Sequence, residues 1–100
     1  MNMGGKGMLV SCWKGGTYGI RITKDDRNRF FQRQWTTVTV TAGSNTSTHK
    51  IEGTFWTTCP ELRGGAIKDY VLAQGHSSWK TGNPPKLTLT PNHGNSFTLT

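Results

Sequence analysis

Carboxylates are scarce in this 100-residue chain. Five Asp and Glu stand against twelve Lys and Arg, for a formal net charge of +7. Asp25, Asp26 and Glu61 have local explanations as helix-capping groups, so only Glu52 and Asp69 are left for general acid–base work. Alanine is rarer still: three Ala against sixteen Thr, with thirteen Gly, favours strands and turns over long helices. Two cysteines, Cys12 and Cys59, give no disulfide framework, and each is expected as a small buried hydrophobe, reduced in a cytoplasmic setting. No apolar run approaches the ~20 residues of a membrane span. Met8-Leu9-Val10 is too short for a signal-peptide core as well. The expectation is a cytoplasmic protein with no membrane partner and no internal repeat.

What the chain does have is short alternating segments. Residues 1–7 read as a flexible leader, and residues 8–100 as a single domain. Met8, Val10 and Cys12 alternate with Leu9, Ser11 and Trp13, predicting a strand over 8–13 that closes through Lys14-Gly15-Gly16-Thr17 onto a strand over 18–23. Thr23-Lys24-Asp25-Asp26 fits a capping box that opens a helix over 24–32. A strand over 35–41 follows, then a polar loop from Thr41 to Thr48 and a short strand at Thr48–Ile51. Thr58-Cys59-Pro60-Glu61 reads as a second capping box, with a helix whose Ile67, Tyr70 and Val71 share one face and which stops at Gly75. The segment 76–85 reads as an ordered loop. Lys86–Thr90 and Ser96–Thr100 then form a terminal hairpin across Asn92-His93-Gly94-Asn95. Together these predict a mainly β (α+β) fold: a small six- to seven-stranded pseudobarrel with two short helices.

The charge is not evenly spread. Residues 1–33 hold seven basic and two acidic groups, five of the seven net positive charges. Arg21, Lys24, Arg27, Arg29 and Arg33 fall on one β-α-β stretch, Tyr18–Val40, while Lys68, Lys80 and Lys86 lie outside the cluster. Concentrated cationic charge on a compact domain points to a polyanion.

The same stretch resembles a known family. Ile20-Arg21-Ile22-Thr23-Lys24-Asp25-Asp26-Arg27, a short helix, then Trp35-x-x-Val38-x-Val40 is similar to the swapped β-α-β element of AbrB-like and B3-like DNA-binding barrels. A weaker echo is Gly82-Asn83 before Lys86-Leu87-Thr88-Leu89, followed by Phe97-Thr98-Leu99. Thr23 stands where the family usually has Pro, Gln34-Trp35 where it has Gly-Asp, and Asn83 where it has a second Asp. The resemblance implies a pseudobarrel that grips the major groove of duplex DNA with two loop arms. Carried over, the first arm is Lys14 to Tyr18, including Gly15 and Gly16, and the second is Lys50 to Thr54. Arg21, Lys24 and Arg27 stand beside them, chiefly as phosphate contacts.

These readings predict a nucleic-acid-binding domain, duplex DNA first, acting as a monomer or homodimer. The candidate contact residues are Lys14, Gly15, Gly16, Tyr18, Arg21, Lys24, Arg27, Arg29, Arg33 and Lys50. Tyr18 is the aromatic expected to be most exposed. Trp13, Trp35, Trp56 and Trp79 are read as core or core-rim residues, with base stacking the other use open to them. No catalytic constellation, metal-ligand spacing or nucleotide loop is present, so neither an enzyme nor a cofactor is expected. The alternatives are a protein- or ligand-binding accessory module, its aromatics lining a groove, and a small basic ribonuclease or toxin working with His and Arg.

Overall fold

The computed structural model describes residues 7–100. In chain order its elements are β1 (Met8–Lys14), β2 (Tyr18–Arg21), α1 (Lys24–Phe30), β3 (Thr37–Ala42), β4 (Asn45–Lys50), α2 (Thr54–Thr57), β5 (Glu61–Arg63), α3 (Gly65–Ala73), β6 (Lys86–Pro91) and β7 (Ser96–Leu99). All seven strands join one sheet in the order β4-β3-β7-β6-β1-β2-β5, antiparallel throughout except for β3 against β7. The sheet curls until its two edge strands, β4 and β5, approach one another, giving the expected small α+β pseudobarrel. Near-closure leaves little free strand edge to template aggregation. Of the predicted leader, residues 1–6 lie outside the described residues, and Gly7 packs against Thr88 and Thr90 of β6.

Alternation explains the core. Met8, Val10 and Cys12 of β1, Val38 and Val40 of β3, and Leu87 and Leu89 of β6 all turn inward. Helix α3 adds Ile67 and Val71, both fully buried, and packs across β2, β3, β4 and β5, so that it bridges the seam between the edge strands. It ends in a Schellman arrangement: Gly75 at φ +82° donates to the Leu72 carbonyl and His76 to that of Val71. Another part of the core is filled by aromatics. Phe31 stacks on Phe97 at 4.7 Å, with Phe55 at 5.1 Å and Trp35 edge-on at 6.2 Å.

Four local expectations are corrected. The polar run Thr41–Thr48 is a hairpin rather than a loop: Ala42 pairs with Asn45, and Gly43 at φ +62° takes the first corner of a two-residue turn. Helix α1 stops at Phe30, because Phe31 turns into the core and takes extended backbone. Thr58 caps nothing. Its hydroxyl donates back to the Thr54 carbonyl at 3.3 Å, the Pro60 carbonyl accepts from Ile22 N–H at 2.8 Å, and Glu61 begins a strand. The chain there completes the sheet edge beside β2, and the helix waits until Gly65. The one-turn helix α2 was not expected at all. The first cap, by contrast, forms: Thr23 Oγ1 accepts from Asp26 N–H at 3.1 Å.

Candidate functional site

Directly opposed residues on neighbouring strands share a face, and the register lays out two adjacent rows on the outside of the barrel. Lys86, Ser11, Arg21 and Glu61 cross β6, β1, β2 and β5 in one row. Trp13, Gly19 and Arg63 cross β1, β2 and β5 in the next. With strands about 4.8 Å apart, the longer row spans roughly 14 Å.

Glu61 organises this face. Its side chain is only 4% exposed and accepts from Arg21 Nε at 2.9 Å on one oxygen and from Arg63 Nη2 at 2.9 Å on the other. Both arginine side chains stay about half in solvent, so the carboxylate fixes them without hiding them. Lys86 Nζ donates to Ser11 Oγ at 2.7 Å. Arg63 also lies over the Trp13 indole, 4.5 Å from the ring centroid. At the end of β1, Lys14 Nζ sits 4.8 Å above the ring of Trp79, which comes from the 76–85 segment. Arg21 and Arg63 thus share the carboxylate, Lys86 lies at the far end of their row, and Lys14 and Trp79 line a hollow with Trp13 and Arg21.

The predicted contact residues divide. Arg21 belongs to this face; Lys14, opposite the inward-turned Tyr18, borders it at the end of β1, and Gly15 lies against the Trp13 ring. Gly16, at φ +81°, forms the open turn beside them. Tyr18 does not have the exposure expected of it: it is half-buried against the core, and its hydroxyl donates to the Ser77 carbonyl at 2.7 Å. Arg27 is a correction. It is 8% exposed, donates from Nη1 to the carbonyls of Phe55 and Trp56 at 3.2 and 3.0 Å, and lies 5.5 Å from the Trp56 ring centre. A guanidinium so engaged is a clamp between α1 and α2, not a free cation. Lys24, Arg29 and Arg33 are exposed on and after α1, Arg29 over Phe30 and Arg33 over Trp56. The strands flanking α1 do not pair, since β2 lies between β1 and β5 while β3 lies between β4 and β7.

Lys50 ends β4 and lines a seam cavity of about 370 Å³ with His49, Glu52, Cys59 and Arg63. Gly19 pairs with Arg63 and Arg21 with Glu61, so the Lys14–Tyr18 turn and the segment entering β5 lie at opposite ends of the β2–β5 pair. Arg63, Lys86, Trp13 and Trp79 were not among the expected contacts. The alternation of Trp13 with Cys12, and of Arg63 with Leu62, carried the signal, but only the register shows that these residues meet.

Two other groups bear on chemistry. Burial pushes the Cys12 thiol up, leaving it protonated and inert, whereas Cys59 is exposed rather than buried as expected. Ser47 Oγ lies 2.7 Å from His49 Nε2, a spacing that suits a nucleophile and base. The serine oxygen, however, also accepts from Ala66 N–H at 2.9 Å and packs beneath Gly65, while the imidazole bonds the Arg63 backbone. The pair fastens β4 to α3 and β5 across the seam. Among the described residues no group of three His, Cys, Asp or Glu side chains is placed to hold a metal, and no helix is long and apolar enough to cross a membrane. No protein-family model, curated protein or solved structure matches the chain.

Proposed function

We propose that this domain binds nucleic acid, duplex DNA first, by laying the phosphate backbone across the outer face of β6, β1, β2 and β5. One observation carries the reading: Arg21, Arg63 and Lys86 line the outer face of these strands with Lys14 at its border, and the carboxylate among them, Glu61, is nearly buried and turned onto the two arginines. Cations held at defined spacing on a rigid sheet suit phosphate contacts, which position a backbone without reading sequence. The two-armed grip implied by the B3-like resemblance is not part of this proposal.

Fluorescence anisotropy with a blunt duplex across a salt series tests it. Binding is expected at ~1–100 μM near physiological salt, and log K should fall with log[salt] at a slope of roughly −3 to −4 for four phosphate contacts. Replacing Lys14, Arg21 and Lys86 by Gln leaves Arg63 to pair Glu61, and should flatten the slope by about 2–3 units. The matching control replaces Lys24, Arg29 and Lys68 by Gln, all exposed and away from the two rows. Absence of binding at 50 mM salt, or equal losses from the two triple variants, would overturn the proposal.

A further inference from the structure

The phosphate face borders a hollow that backbone contacts alone leave unused. A cavity of about 470 Å³ lies between the end of β1 and the 76–85 segment, lined by Trp13, Lys14, Arg21, Trp79, Thr81 and Gly82 among others. That volume is within the range of small-ligand sites. The segment is pinned at both ends, Tyr18 Oη donating to the Ser77 carbonyl at 2.7 Å and Cys12 N–H to that of Pro85 at 2.8 Å. Between the pins, Asn83 N–H closes a turn onto the Lys80 carbonyl at 2.9 Å, with Gly82 at φ +81°. Trp79 is therefore held partly against the core, its ring facing Lys14.

Indole walls with cations at the rim match a ligand that is flat and aromatic at one end and anionic at the other. A nucleotide has that form. Within a duplex each base face is covered by its neighbours, so an unpaired base is the one free to enter the hollow and offer its face to Trp79. Lys14 covers the indole now, but it is an exposed, long side chain whose departure brings its ammonium towards the incoming phosphate.

Resting on the nucleic-acid reading, we infer that this hollow takes one unpaired base of single-stranded DNA, stacked on Trp79, with a flanking phosphate between Lys14 and Arg21. The domain then prefers DNA in which a duplex meets a single strand: the duplex lies on the strand face and the first unpaired base enters the hollow.

The test compares three end-labelled probes at 50 mM salt: a blunt 12-base-pair duplex, the same duplex with a three-thymidine overhang, and that duplex with a three-uridine RNA overhang. The thymidine overhang should bind about tenfold more tightly than the blunt duplex, the gain of stacking one base, and should quench tryptophan fluorescence. Trp79→Leu keeps an apolar plug without a π face; it should lose the gain, so that the variant binds blunt and overhanging duplex equally. Trp79→Phe should retain most of the gain, and melting curves establish that both variants are folded. Equal affinity for blunt and overhanging duplex, a gain that survives Trp79→Leu, or a tenfold preference for the RNA overhang overturns the single-stranded DNA site while the phosphate face stands. If none of the probes binds, the nucleic-acid reading falls with it.

Discussion

Arg63 reaches the Trp13 indole, 4.5 Å from the ring centroid, over a residue with no side chain: Gly19 stands between them in the same cross-strand row. The glycine is required twice over. A Cβ there would overlap the Leu62 carbonyl oxygen and crowd Arg63 Cα at 2.9 Å, and neither backbone atom has room to yield. Gly19→Ala should therefore cost about 2–3 kcal/mol in urea unfolding, an overpacking penalty, although Ala has the better intrinsic propensity. A loss below about 0.5 kcal/mol would mean that β2 and β5 do not pair as closely as described.

Arg27 and Arg29 look alike in the sequence and should behave oppositely. Arg27→Gln removes the buried donor to the Phe55 and Trp56 carbonyls, so a loss of about 2–4 kcal/mol is expected. Arg29→Gln, at an exposed position, should stay within about 0.5 kcal/mol. If Arg27→Gln instead weakens DNA binding at unchanged stability, Arg27 is a contact residue and not a clamp.

The two threonines that resemble helix caps separate in the same way. Thr23→Ala removes an acceptor for Asp26 N–H and should cost about 1 kcal/mol. Thr58→Ala loses one long, exposed hydrogen bond, for which about 0.5 kcal/mol or less is expected. Leu89→Ala, in the fully buried row of β6, sets the scale at about 2–5 kcal/mol. Thermal or urea melts of the three variants decide the order.

His49 gives the fold a pH dependence of definite sign. Burial pushes its imidazole below the ordinary value of 6.5, and the bond to the Arg63 backbone offsets this only in part. The unfolded chain therefore binds the proton more readily, so the His49 contribution is fully present above about pH 6.5 and is lost as pH falls towards the lowered folded value. The urea midpoint should drop between pH 7.5 and pH 5.5, and His49→Gln should reduce that drop. A midpoint that rises on acidification would reverse the assignment of His49 as neutral.

Local periodicity was enough for much of this molecule. Met8, Val10 and Cys12, Val38 and Val40, and Leu87 and Leu89 declare their buried faces by alternation, Ile67 and Val71 by helical spacing, and Thr23 and Gly75 mark helix ends, because each signal is read within a few residues. The excess of cations is likewise a property of the sequence alone. Which of them remain free is not. Arg27 is withdrawn from the surface by carbonyls 28 and 29 residues away, and Glu61, read locally as a capping group, is instead turned into a strand that joins Arg21 to Arg63. Lys86, remote from the cluster along the chain, becomes part of the basic face because β6 pairs with β1. Composition and spacing determine how much charge and how many strands there are. Cross-strand register, which brings together residues up to 81 positions apart, Met8 and Leu89, decides which charges and aromatic rings share a surface.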